Sequence, residues 1–174
     1  MGNGWAILWR CNTLAPVIAA LAFGCPAHAS TASGTSQATI VTPLSVVNTD
    51  TLRFGAVIPS ASAGTVTVDA FTEARTSTGG VTAYGGTVTA GKFSGLSDGK
   101  THLKIDVPAG SITLTRVGGG ATMTADNFAL NGNKNDWVVG STVFSFQVGA
   151  RLNVGANQMP GTYTGTYTVT VNYR

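Results

Sequence analysis

Phe144-Ser145-Phe146-Gln147-Val148-Gly149-Ala150-Arg151-Leu152-Asn153-Val154 alternates apolar and polar residues along its whole length. A period of two gives an extended chain one apolar face and one polar face, while a helix would scatter the same residues around its axis. Phe144, Phe146, Val148, Ala150, Leu152 and Val154 share the apolar face; Ser145, Gln147, Gly149, Arg151 and Asn153 share the other. The end of the chain repeats the pattern. Tyr163, Tyr167, Val169, Val171 and Tyr173 fall on one side with Gly165 among them, against Thr162, Thr164, Thr166, Thr168, Thr170 and Asn172. Threonine suits the solvated side of a strand because its β-branched side chain is stiff and its hydroxyl stays in water.

Working outward, Leu103, Ile105 and Val107 alternate with Lys104 and Asp106, and Pro108-Ala109-Gly110 ends that run. Ile112 and Leu114 alternate with Thr113 and Thr115 as far as Gly118-Gly119-Gly120, and Val66 and Val68 lead into Phe71. Gly79-Gly80, Gly85-Gly86, Gly91, Gly95 and Asp98-Gly99 read as turns, where positive φ costs glycine little. No ten-residue stretch beyond residue 29 has a 3.6-residue period. Many short strands at this spacing predict an all-β antiparallel sandwich or barrel.

Composition agrees. The chain has 174 residues, 23 glycines, 26 threonines and only 17 charged side chains. A coiled coil needs far more Ala, Glu, Lys and Leu in heptads, and 43% apolar residues at low net charge is not the composition of a disordered chain. The net charge is only +3 and no two Lys or Arg are adjacent, so nucleic acid is not an expected partner.

The first 29 residues read as a cleaved signal peptide. Arg10 precedes the apolar run Leu14–Phe23, which is shorter than the roughly 20 residues a membrane-spanning helix requires. Ala27-His28-Ala29 then offers small residues where a signal peptidase reads them, predicting cleavage before Ser30. An uncleaved anchor over Ala6–Gly24 and a lipoprotein cleavage at Cys25 are the alternatives. Cleavage would remove Cys11, Cys25 and His28, leaving 145 residues without cysteine and with His102 as the one histidine. Residues 30–37 form a polar extension, and 38–174 a single sandwich domain with no membrane span. The protein is expected to be exported to the periplasm, cell surface or medium.

Reactive chemistry is sparse. Gly95-Leu96-Ser97-Asp98-Gly99 carries the letters of a nucleophile elbow, but an elbow joins a buried strand to a helix, and here Asp98-Gly99 leads into a strand at His102. His102 reads as a solvated strand-end residue. Asn131–Asp136 could offer oxygens to calcium, yet it has one carboxylate, a central Lys134 and no closing glutamate, and reads as a polar loop. Trp137 is either a rim or core tryptophan or an exposed platform for a sugar. Gly118–Gly120 precedes no helix and is no phosphate cradle. No catalytic, cofactor-binding or metal-binding residue is assigned, no cofactor is expected, and the protein is read as no enzyme.

The ending Gln158-Met159-Pro160-Gly161-Thr162-Tyr163 through Tyr173-Arg174 resembles the closing strand of bacterial chaperone–usher pilins, with a penultimate tyrosine and a glycine fourteenth from the end. Leu52-Arg53-Phe54-Gly55 resembles the Leu-x-Phe-Gly near the start of spore-coat-U-type pilins. With Gly64–Val68, Val148–Leu152 and the Pro-Gly-Thr-Tyr ending, residues 38–174 resemble an uncharacterised family of secreted bacterial β-proteins of that layout. The resemblance implies an immunoglobulin-like, pilin-like sandwich that lacks its last strand. A periplasmic chaperone and then a neighbouring subunit would supply that strand by donor-strand pairing. Gly161, Tyr163, Tyr167, Val169, Val171 and Tyr173 would then form the strand-addition edge and groove. Only Ala38–Val47 alternates well enough to donate a strand, and the sandwich is expected to use it as its own first one.

Two functions follow as expectations. The first is a non-enzymatic surface structural protein, a pilin-like fimbrial subunit or adhesion component. The second is a self-contained secreted sandwich that binds a glycan or another envelope component.

Overall fold

The structure, a computed structural model, describes residues 35–40, 42–99 and 102–174. The expected leader 1–29, and Ser30–Gly34 of the polar extension, lie outside the described residues. No helix among the described residues is long and apolar enough to cross a membrane.

The fold is an all-β, immunoglobulin-like antiparallel sandwich. Its strands are β1 Ser45–Asp50, β2 Arg53–Val68, β3 Arg75–Thr89, β4 Gly91–Leu96, β5 His102–Asp106, β6 Ile112–Arg116, β7 Thr122–Leu130, β8 Trp137–Val138, β9 Val143–Val154, β10 Tyr163–Thr164 and β11 Thr170–Tyr173. The larger sheet runs β1-β4-β9-β7-β6-β10, and the β2–β3 ribbon joins it through β9. The smaller sheet runs β11-β5-β8.

β9, the strand whose alternation announced the fold, is the centre. One of its edges carries β4 against Val143–Val148 and β2 against Ala150–Val154; the other carries β7. Its apolar side divides between two core clusters. Leu152 and Val154 pack with Val66, Val81, Met123 and Ala125. Phe144, Phe146 and Val148 pack with Leu103, Ile105 and Val139 of the opposite layer. Phe146 stacks on Phe93 at 5.2 Å and meets Trp137 edge-on at 6.1 Å. Trp137 is thus a half-buried core-side residue, folded over Gly132, where a Cβ would lie 2.3 Å from its ring.

The paired glycines turn out differently from expectation. Gly79-Gly80 and Gly85-Gly86 lie inside the fifteen-residue β3, at the register shifts of its pairing with β2. Four residues of β2, Ser60–Ala63, have no counterpart in the ladder, and their surplus backbone presses onto Gly80, where a Cβ would lie 2.1 Å from the Ser62 carbonyl. Glycine here admits a bulge instead of reversing the chain. Gly91 and Gly95 likewise belong to β4, where they admit the Tyr167 hydroxyl and the Ser45 carbonyl.

The bulge bends the ribbon back on itself. Arg75 pairs with Val68 at the closed end. Its Nη1 nevertheless donates to the carbonyls of Phe54, Ala56 and Gly85, at 3.2, 3.1 and 2.9 Å, near the open end. A straight strand would separate Val68 from Phe54 by roughly 46 Å. Gly55 makes room for the clamp: φ is +74°, and a Cβ would lie 2.3 Å from Nη1.

On the outer face, Arg151 binds Asp126 through two bonds, Nε–Oδ1 at 2.8 Å and Nη2–Oδ2 at 3.2 Å, and Asn153 Nδ2 adds a third at 3.0 Å. The guanidinium beside it holds the Asp126 carboxyl below the usual aspartate range. A depressed folded-state pKa stabilises the fold above the unfolded value, and that contribution is lost as pH falls through the folded one. Melting temperature is therefore expected to drop as pH falls below about 4, and Asp126→Asn should flatten part of that drop. Parallel acid profiles for the two proteins in thermal melts from neutral pH downward would refute the assignment.

Candidate functional site

The closing segment begins at a turn held by side chains. Arg116 Nε donates to the Pro160 carbonyl at 2.7 Å and Nη1 to Gly119 at 3.2 Å. The guanidinium stem fills the space a side chain at residue 161 would need: Gly161 has φ +149°, and a Cβ there would lie 2.5 Å from Nε. Tyr163 Oη donates to the Met159 carbonyl at 2.6 Å and accepts from Gln158 Nε2 at 2.8 Å. The Pro-Gly-Thr-Tyr sequence is thereby closed into one hydrogen-bonded unit, which launches the tail along β6.

The tail then changes layers. Tyr163–Thr164 pair with β6, at the end of the larger sheet. Thr170–Tyr173 pair with β5, at the end of the smaller one. Between them the chain passes under no ladder, and Gly165 lets it lie 2.7 Å, measured from a notional Cβ, from the Thr113 carbonyl. Expected as one strand, the segment is two short ones, because the two sheets diverge and one strand cannot pair with both. Its alternation survives: Tyr163, Tyr167, Val169, Val171 and Tyr173 are half-buried and the intervening threonines are exposed.

Beside the tail lies an apolar groove of about 690 Å³. Thr51–Val57 and Pro59 form one wall, and Gln158–Gly165 with Tyr167 form the other. Its floor is core: Ile112, Leu114, Met123, Ala125, Phe128 and Leu152. Among the described residues, neither the outer edge of β10 nor the inward edge of Arg53–Pro59 has a ladder partner. Gly161, Tyr163 and Tyr167 line this groove. Val169, Val171 and Tyr173 do not; they pack on the cluster around Leu103 and Phe146.

Tyr167 sits at the inner end of the groove, edge-on to Phe93 and tilted against Phe128 at 5.3 Å. Its hydroxyl is buried over Gly91 with no hydrogen-bond partner among the described residues, and burial pushes its pKa up to about 12. Beyond it the tail is fastened down. Tyr173 Oη donates to the Thr42 carbonyl at 2.8 Å, and Arg174 N to the His102 carbonyl at 2.9 Å. Arg174 Nη1 also reaches Asp136 at 3.2 Å, which His102 Nδ1 contacts at 2.5 Å. His102 and Arg174 together hold the Asp136 carboxyl below its ordinary range.

The expected first strand is shorter than its sequence suggested. β1 begins at Ser45, and Ala38–Ile40 and Thr42–Leu44 are in no strand, with Ile40 96% exposed. The groove wall at Leu52–Gly55 and its clamp Arg75 were not assigned to the site from sequence. A glycine directly after an apolar residue in a strand is the one sequence signal there, and the far partner Arg75 leaves none.

The other chemical candidates are dispersed. Ser97 is buried just past β4, where its Oγ accepts from Gly99 N at 3.3 Å. Asn131–Asp136 is a loop in which Asn133 Oδ1 accepts from Asn135 N, and Gly118–Gly120 is the β6–β7 hairpin turn. Among the described residues, no group of three His, Cys, Asp or Glu could hold a metal ion.

No curated protein and no solved structure matches this sequence. A family model does match, over residues 44–173, which takes in every strand from β1 to β11. The chain belongs to the family described as Domain of unknown function (DUF4402).

Proposed function

We propose that this protein is a non-enzymatic, exported structural subunit of the bacterial surface, pilin-like, that works by accepting a β-strand. The observation that carries the reading is the groove. Two facing rims, Arg53–Pro59 and β10, whose groove-side edges have no ladder partner among the described residues, border a floor of core side chains. An added strand would find hydrogen-bond partners on its edges and pockets for alternate side chains below. A neighbouring subunit is the proposed donor, through its exposed segment around Ile40, with a periplasmic chaperone filling the groove beforehand. Export rests on the leader-like 1–29. A self-contained glycan-binding sandwich is the second reading, favoured by a shallow cleft of about 520 Å³ bordered by Thr65, Thr122, Thr124, Asn153 and Gln158.

Thermal melts of the chain with increasing Ser30–Val47 peptide test the first reading. A saturable rise in melting temperature is expected, abolished by Leu114→Asp, which puts a charge in the groove floor. Absence of any rise at saturating peptide would overturn it.

A further inference from the structure

The β2–β3 ribbon leaves a second open edge; Gly86 and Thr87 of β3 also line the groove, but Gly80–Tyr84 do not. Among the described residues β3 pairs only with β2, along Arg75–Thr89. Sheet edges are ordinarily guarded by shortness, charge or proline, and the other end strands here follow that rule. β8 and β10 are two residues long, β11 is four and abuts Arg174, and β1 closes on Asp50 after Pro43. β3 is different. Thr76–Thr89 contains no charged residue and no proline. The one charge in β3, Arg75, is spent inward on three carbonyls.

The stretch Gly80–Tyr84 is the run between the two glycine bulges. Val81 faces the core at 6% exposure, so Thr82 and Tyr84 face outward. Tyr84 is 74% exposed, and Ile58, paired with Thr82, is 48% exposed. An unguarded edge thus runs beside an exposed apolar pair.

We infer that β3 is a homotypic interface, joining two copies of this chain antiparallel through Gly80–Tyr84, with Thr82 opposite Thr82. A second copy is the occupant these residues fit. Thr82 meets Thr82 on the axis, Val81 meets Ala83 and Gly80 meets Tyr84 on either side, all uncharged, with no like-charge pair to oppose a two-fold. β3 already makes such a threonine pair with β2, where the Thr65 and Thr78 hydroxyls lie 2.8 Å apart. A two-fold normal to the sheet through Thr82 places Ile58 and Tyr84 of both copies on one face of the joined sheet.

Sedimentation of the full chain tests this. The wild-type protein should be a dimer that survives saturating Ser30–Val47 peptide. Thr82→Lys and Thr82→Glu should each weaken dimerisation by about tenfold or more, since like charges would face each other across the axis. An equimolar mixture of the two folded variants should dimerise again. Thr113→Lys, on an exposed face of β6, should leave the dimer intact. A wild-type monomer, a dimer that persists in Thr82→Lys, a mixture that stays monomeric, or dissociation by the peptide would each overturn the interface; the last would assign association to the groove.

Discussion

Gly149→Ala is expected to destabilise the fold by about 3 kcal/mol, the upper part of the range for overpacking a filled site. Gly149 lies in the middle of β9, and a Cβ there would come within 2.3 Å of the Val68 carbonyl and 2.6 Å of Ala70 N. Both are main-chain atoms at the exit of β2, so no side-chain rotation can relieve the overlap. The loop above is also stiff. Asp69 Oδ1 accepts from Phe71 N, Thr72 N and Thr72 Oγ1 at 2.7–2.9 Å, and Glu73, at φ 59°, pairs with Lys92 at 2.8 Å. The backbone of β9 or of this loop must therefore move. Gly110→Ala is the control, since none of the described residues lies within 4 Å of its Cβ position and its φ is ordinary. Denaturant unfolding of the two variants measures the difference. Equal stability would mean that the loop does not sit on β9.

Gly149 also shows where the sequence was readable and where it was not. Alternation placed it on the polar face, and it does point that way; it is buried because a loop about 80 residues earlier in the chain folds over it. Period-two patterning reports which face a strand buries, a local property set by its own side chains. That is why β5, β6, β9 and the tail were legible. What covers an outer face depends on distant chain and leaves no local trace. The glycine pairs of β3 fail for a related reason. A glycine that reverses the chain and a glycine that admits a bulge look alike in sequence, and the difference lies in the surplus residues Ser60–Ala63 of the partner strand.

The candidate site was half legible for the same cause. The tail carried its own pattern, and Tyr163 and Tyr167 do face the groove. Val169, Val171 and Tyr173 share that pattern yet serve the other half of the sandwich, because the chain crosses between sheets at Gly165–Val169. Periodicity cannot mark such a crossing. The facing wall was quoted as the motif Leu52–Gly55 without a role, since its role comes from a ribbon folded back by a distant bulge.

Arg75→Ala is expected to undo that fold-back. Nη1 serves three carbonyls at once, and those of Phe54 and Gly85 are partly buried. Without the guanidinium they lose a charge-assisted donor while water reaches them poorly. The loss should be about 2–3 kcal/mol of stability by that reasoning. Arg75→Lys should recover little of it, because an ammonium on a flexible stem does not reproduce a planar guanidinium in a fixed slot. The consequence for the groove separates this clamp from a generic stabiliser. Leu52 and Phe54 would no longer be held opposite Tyr163, so stabilisation by the Ser30–Val47 peptide should shrink in Arg75→Ala even under conditions where the variant remains fully folded. Asp126→Asn, which removes an ion pair on the outer face of β7 and β9, should leave the peptide response intact. Peptide titrations of the three proteins, followed by thermal melting, decide the matter. An unchanged response in Arg75→Ala would mean that the groove wall stands without its clamp.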